Sequence, residues 1–223
     1  MTSQPDPYGD VARRASGAIA AGDPSAWFEP LYETAARGDL AVPWDRGGPH
    51  PLLVEWAYRH HVDGAGRRAM VVGSGLGGDA EFVASLGFAT SGFDVSETAV
   101  STTRARFPES SVQYSVANLL ERQPQLRGRF DFVLESLTVQ ALPRSVRDQA
   151  TAAVRGLVAP GGVLLVISGA LGNGDPVHGP PWRLTRVELD QFGRDGLTAS
   201  DIEDLPDASG TGSPVWRATF VHG

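Results

Sequence analysis

The chain has 223 residues, 41% hydrophobic and 20% charged, enough for one domain with a full core and unlike a disordered or membrane protein. It has no cysteine, which excludes disulfides, thiolate metal sites and a cysteine nucleophile, and all 19 of its basic residues are arginine, which excludes Schiff-base chemistry and the lysine-dependent phosphate grip of P-loop enzymes. The formal net charge of −7, with the arginines scattered and no basic stripe, argues against a nucleic-acid partner.

The first residues, MTSQPDPYGD, read as a loose polar tail without the basic and apolar regions of a signal peptide. No apolar run reaches the roughly 18 residues of a membrane span, so a cytoplasmic protein is the default expectation. A short helical pattern covers residues 11–20. Pro24 and Ser25 announce a second helix, whose Trp27, Phe28, Leu31 and Tyr32 fall on one apolar face. A stiff loop, AVPWDRGGPHP, carries Trp44, Asp45 and His50, and a third helix is expected over residues 52–61. Trp56 in that helix reads as core packing. Trp44 sits in the kind of loop that closes over a site.

Residues 69–94 are the centre of the sequence: an apolar strand, a glycine-rich turn (Gly73, Gly75, Gly77, Gly78), an amphipathic helix, a second strand and then Asp94. Glycines without Cβ permit positive φ and close approach of a ligand, and the N–H groups that open a helix have no partner inside it. A nucleotide or an amino-acid carboxylate suits that position. Asp94 follows Gly73 by twenty-one residues and should project at the carboxyl edge of the sheet, where two ribose hydroxyls would be natural partners. The glycine spacing alone leaves both a dinucleotide fold and an S-adenosylmethionine fold open.

Ser96 caps a helix that reaches about Arg106 and is ended by Pro108. Strands follow at 112–116 and 130–134, the latter leading into Glu135 and Ser136. A helix is expected over 145–158, then a turn through Pro160, Gly161 and Gly162 into a fifth strand. The long polar loop GALGNGDPVHGPPW holds His178 and Trp182, Thr185 opens a last helix with Glu188 at capping-box spacing, and two strands at 197–205 and 215–221 close the chain. Alternating strands and helices predict a doubly wound α/β fold: a Rossmann-like seven-stranded sheet, mostly parallel, with an antiparallel C-terminal hairpin strand and helices on both faces. The expected organisation is a single domain, with residues 1–64 as a helical cover and 65–223 as the cofactor-binding core.

Five stretches in this order, VVGSGLGGDAEFVA, GFDVS, ANLL, FDFVLES and LVAPGGVLLVI, resemble the class I S-adenosylmethionine-dependent methyltransferases. The stretch WFEPLYETAARGDLAVPWDRGGPHPLL further resembles the N-terminal cover of the thiopurine, thiol and halide methyltransferase branch. The resemblance implies S-adenosylmethionine as cofactor and a small-molecule methyl acceptor, with no metal, no nucleic acid and no membrane, in a monomer or homodimer. It implies that Trp27, Trp44, Gly73, Ser74, Gly75, Gly77, Asp79, Asp94, Val95, Asn118, Leu119, Glu135 and Ser136 surround the cofactor. Two positions depart from the family pattern. Asn118 stands where an acid is usual, and the fourth strand ends in Glu135, Ser136, Leu137 instead of the proline-rich tetrapeptide of nucleic-acid amino methylases. Tyr32, His50 and His178 are the candidates for contact with the acceptor, as a base if it is a hydroxyl or an amine. The competing readings are a nicotinamide-dependent oxidoreductase built on the same glycine turn and an S-adenosylmethionine-binding protein without catalysis.

Overall fold

The computed structural model describes residues 7–172, 175, 179–206 and 213–223. Three helices come first, α1 (Pro7–Ala20), α2 (Phe28–Ala36) and α3 (Pro51–Arg59). Then β1 (Arg68–Val72), α4 (Gly78–Ser85), β2 (Ala89–Asp94), α5 (Glu97–Arg106), β3 (Gln113–Val116), β4 (Phe130–Ser136), α6 (Arg144–Arg155) and β5 (Val158–Gly169) alternate. The chain closes with α7 (Arg186–Asp190), β6 (Leu197–Leu205) and β7 (Val215–His222).

The sheet has seven strands in the order β3-β2-β1-β4-β5-β7-β6. The first five strands are parallel, and β7 lies antiparallel between β5 and β6. The expected architecture is borne out, terminal antiparallel pair included. Period-two alternation divides the side chains between two cores. Met70, Val72, Val133, Leu164 and Val166 pack on one face with Ala150 and Val154 of α6. Ala69, Val71, Phe132, Leu134 and Leu165 pack on the other with Ala80 and Val83 of α4 and Leu53 and Trp56 of α3. Trp56 is core, as read from sequence: it stacks on Phe132 with centroids 5.5 Å apart and its Nε1 donates to Thr219 Oγ1 at 3.0 Å.

Several boundaries differ from expectation, two of them with an evident cause. α1 starts at Pro7, where a missing N–H costs nothing in a first helical turn, so the helix is longer than its apolar face. α6 ends at Arg155, and Val158 already pairs with Phe130, because the residues through Gly162 form an irregularity at the start of β5. The caps hold: Ser96 Oγ accepts from Ala99 N–H, and Thr185 and Glu188 make a full capping box.

Arg217 of β7 is fully buried and ties α3 to the far edge of the sheet. Its Nε donates to Glu203 Oε2 at 2.7 Å, and its Nη1 to Leu52 O at 3.0 Å and Glu55 Oε2 at 3.1 Å. Among the described residues no helix is long and apolar enough to cross a membrane. Between β1 and β4 the chain direction across the sheet reverses, and in open α/β sheets that switch point leaves a crevice at the carboxyl ends of the strands.

Candidate active site

The crevice is built first from backbone. Gly73, Gly75 and Gly77 have φ of 60°, 52° and 88°, in the left-handed region that side chains resist. Ser74 N–H donates to Phe93 O at 2.8 Å and Gly75 N–H to Asp94 Oδ2 at 2.9 Å, so the turn after β1 is laced to the end of β2. A Cβ on Gly73 would lie 2.4 Å from Thr138 Oγ1, and that hydroxyl is itself fixed by donating to Val72 O at 3.0 Å. Gly78 serves packing: its Cβ would lie 2.5 Å from Gly48 O, so the loop carrying Trp44 rests directly on the first turn of α4.

Asp94 is buried, and burial raises its pKa against the opposing N–H bonds of Ser96, Gly75 and Val95. Asp79, in the first turn of α4, is raised for the same reason. The His50 N–H, 2.6 Å away, the Ser136 hydroxyl and the charge of Arg46 all oppose that shift.

The cover closes over this cradle through aromatic rings. Trp27 stacks on Phe28 at 3.9 Å, and Trp44 meets Trp27, Phe28 and Tyr32 edge-on at 6.0, 6.3 and 6.1 Å. Trp44 Nε1 donates to Tyr32 Oη at 2.9 Å. Burial, with Asp94 nearby, raises the Tyr32 phenol well above its ordinary value, so Tyr32 is a neutral phenol and not a base. Glu29 pins the cover to the sheet: its carboxylate accepts from Ser96 Oγ, Thr98 N–H and Thr98 Oγ1 at the N-terminus of α5. Sequence reading missed Glu29, because its partners lie almost seventy residues away.

Together these elements enclose a cavity of about 520 Å³. Gly73, Ser74, Gly75, Gly77 and Asp79 line one side, Asp94, Val95, Asn118 and Leu119 continue it, and Trp27, Trp44 and Ser136 close it. Tyr32 and His50 line it too, whereas His178 lies outside the described residues. Glu135 is the exception. It is fully buried behind the cavity wall, where Oε1 accepts from Thr138 and Val139 N–H, each at 2.8 Å. Burial pushes its pKa up to about 7. Glu135 therefore secures the turn that follows β4, and its neighbours Ser136, Leu137 and Thr138 reach the cavity in its place.

Two other expectations change in detail. His50 is the N-cap of α3, with Nδ1 accepting from Leu52 N–H at 3.1 Å, which commits that nitrogen to structure. Asn118 Oδ1 accepts from Leu120 N–H at 2.9 Å and its Nδ2 donates to Ser25 Oγ at 3.2 Å. One oxygen lone pair is thus occupied within the chain.

Residues 69–162 match the methyltransferase-domain family. Over that stretch the chain is similar to methyltransferase domains. The resemblance read from the sequence is thereby borne out over the core. Among curated proteins, the domain is similar to a ubiquinone biosynthesis O-methyltransferase from Thiobacillus denitrificans, with 32% identity over 144 residues. That match covers 63% of this chain and 53% of the relative, so the chain matches about half the length of the curated relatives. A solved 1,6-didemethyltoxoflavin-N1-methyltransferase from Burkholderia thailandensis superposes with a TM-score of 0.67 at 15% identity, covering 100% of this chain and 92% of that one. Magnesium protoporphyrin IX methyltransferase from Synechocystis gives 0.69 at 15% identity, covering 89% and 98%. A [4+2]-cyclase gives 0.65 at 18% identity, covering 86% and 91%. At such identities these likenesses establish the methyltransferase fold and nothing finer.

Proposed function

We propose that this protein is an S-adenosylmethionine-dependent methyltransferase that acts on an oxygen nucleophile of a small molecule. The observation that carries this reading is the cavity itself, walled by the glycine turn, the first turn of α4 and the Asp94 carboxylate. The positive-φ glycines, the first turn of α4 and the Asp94 carboxylate form a cradle of the right chemistry for an amino-acid nucleoside.

Within that reading Asp94 would hold the ribose hydroxyls, the turn from Gly73 to Gly77 the amino-acid portion, and Asn118 and Leu119 the adenine. When bound, the cofactor supplies an electrophilic methyl group. The chain aligns the acceptor with it and excludes water, and such alignment contributes roughly 7–11 kcal/mol of barrier lowering. Trp27, Phe28, Tyr32 and Trp44 are the water-excluding cover, a role that the resemblance to the thiopurine, thiol and halide branch also supports. Oxygen as the nucleophile is favoured by the curated O-methyltransferase relatives. With Tyr32 neutral and His50 Nδ1 engaged, the acceptor should be acidic enough to ionise without a strong base, as a phenol or an enol is.

Titration calorimetry with S-adenosylhomocysteine and, separately, NADH tests the reading. Binding of the first alone, weakened about tenfold or more by Asp94→Ala, is the expected result. Heat from NADH only would establish the oxidoreductase alternative.

A further inference from the structure

Beyond the glycine turn, the cavity lining includes the apolar residues Leu137, Leu142, Pro181 and Val215. Its polar exceptions include Gln140 and Arg183, which meet at Gly169, the last residue of β5. A Cβ on Gly169 would sit 2.8 Å from Arg183 Cγ and 3.0 Å from Gln140 Oε1. The Gln140 amide can be oriented without ambiguity. Gly169 N–H is a donor only, and it donates to Oε1, as does Ser168 Oγ at 3.0 Å. Both lone pairs of Oε1 are therefore spent, and the two Nε2 hydrogens have no partner among the described residues. The backbone is held as firmly, since Gln140 O accepts from Trp182 N–H at 2.7 Å. Arg183 spends only Nη1, on Asp175 Oδ2 at 3.2 Å and Ala170 O at 3.3 Å. Its Nη2 and Nε are likewise unengaged among the described residues. A largely apolar lining with donors on Gln140 and Arg183 that are unspent among the described residues selects for a matching ligand.

We propose that Gln140 and Arg183 form a specificity subsite for an oxygen of the methyl acceptor that accepts but does not donate hydrogen bonds, a carboxylate or a ring carbonyl carried on an apolar skeleton. The proposal rests on the methyltransferase reading and assigns the substrate class within it. Gln140 Nε2 donates to that oxygen, and Arg183 adds a second donor and, for a carboxylate, a charge. Gly169 is the floor that lets both side chains approach; any larger residue there would displace them.

The test uses the full chain saturated with S-adenosylhomocysteine and three size-matched probes: para-hydroxybenzoate, para-acetylphenol and para-ethylphenol, with their meta isomers. Affinities are read by ligand-observed NMR. The carboxylate or the acetyl compound should bind about tenfold or more tightly than the ethyl compound, the scale set by an unsatisfied buried donor. Gln140→Glu, which replaces the donor by an acceptor at constant shape, should erase that preference while S-adenosylhomocysteine affinity persists. Arg183→Gln distinguishes the two oxygen sources: loss confined to the carboxylate marks a charged acceptor, and equal loss for both marks a carbonyl. Equal affinity for all three probes, or binding of none while S-adenosylhomocysteine still binds, overturns the subsite. Failure to bind S-adenosylhomocysteine overturns the methyltransferase reading instead.

Discussion

The two walls of the cavity are made of different material. On the side of β1 and β2 the surface is backbone, three glycines at positive φ in a turn whose Ser74 and Gly75 N–H groups donate to Phe93 O of β2 and to Asp94. On the side of the turn after β4 and the segment after β5 it is side chain: Leu137, Thr138, Gln140 and Arg183. Leu137 even holds a φ of 63°, a conformation that costs a bulky residue about 1–2 kcal/mol. A backbone wall tolerates almost no substitution and suits a ligand that never changes. A side-chain wall can be rewritten one residue at a time, as an acceptor site requires.

Gly73→Ala should break the backbone wall most severely. The new Cβ meets Thr138 Oγ1 and Cγ2 at 2.4 and 2.7 Å in a strained conformation. A loss of about 3 kcal/mol, roughly a hundredfold, in S-adenosylhomocysteine affinity is expected from calorimetry. Retained affinity would mean that the turn is looser than its packing against β4 implies.

Two carboxylates near the cavity, one behind the side-chain wall and one in the cover, should answer pH with opposite signs. Behind the side-chain wall, burial holds the Glu135 pKa at about 7, above the usual 4.5. Between those values the folded state keeps a proton that the unfolded chain releases. This stability is therefore complete below about pH 4.5 and is lost as pH rises toward 7. Glu135→Gln keeps an oxygen for the Thr138 and Val139 N–H groups, and should raise stability at pH 8 by about 2–3 kcal/mol over its effect at pH 4.5. Urea midpoints at the two pH values decide it; a constant difference would refute the burial account.

Glu29 is the converse case. Burial raises its pKa, but the bonds from Ser96 and Thr98 outweigh that and leave it below the usual value. Its stabilisation is present above that value and is lost as pH falls through the lowered one. Glu29→Ala should cost about 1–2 kcal/mol at neutral pH, and the cost should shrink in acid. Thermal melts across that range measure it, and a loss independent of pH would assign Glu29 to packing alone.

The difference between the walls also explains what the sequence revealed. Gly73, Gly75, Gly77 and Asp94 lie within one strand-turn-helix-strand unit, so spacing alone places them together. The apolar runs of β1, β4 and β5 were equally legible as strands. Gln140 and Arg183 come from two irregular segments that meet only in the folded chain, and Glu29 finds α5 across a gap no periodicity records. Glu135 reads from the sequence as a cavity residue because a carboxylate at the carboxyl end of a central strand looks like a ligand, whereas its Oε1 accepts from the N–H groups of the residues just after it.

The cover offers the smallest and sharpest test. Tyr32 is almost fully buried, and its hydroxyl accepts the Trp44 indole N–H at 2.9 Å. Tyr32→Phe leaves that N–H without its partner, but Trp44 is only half-buried and can regain water through the cavity. The cost should therefore sit near 1 kcal/mol, below the penalty for a sealed orphan donor, and lower Tm by roughly 2–4 °C. Trp44→Phe removes the same bond from the other side. A double-mutant cycle on S-adenosylhomocysteine affinity should give a coupling of about 0.5–1.5 kcal/mol between the two positions. Zero coupling would mean that the loop is seated by Gly48 resting on Gly78 alone, and that the aromatic cover folds over a floor the glycines have already set.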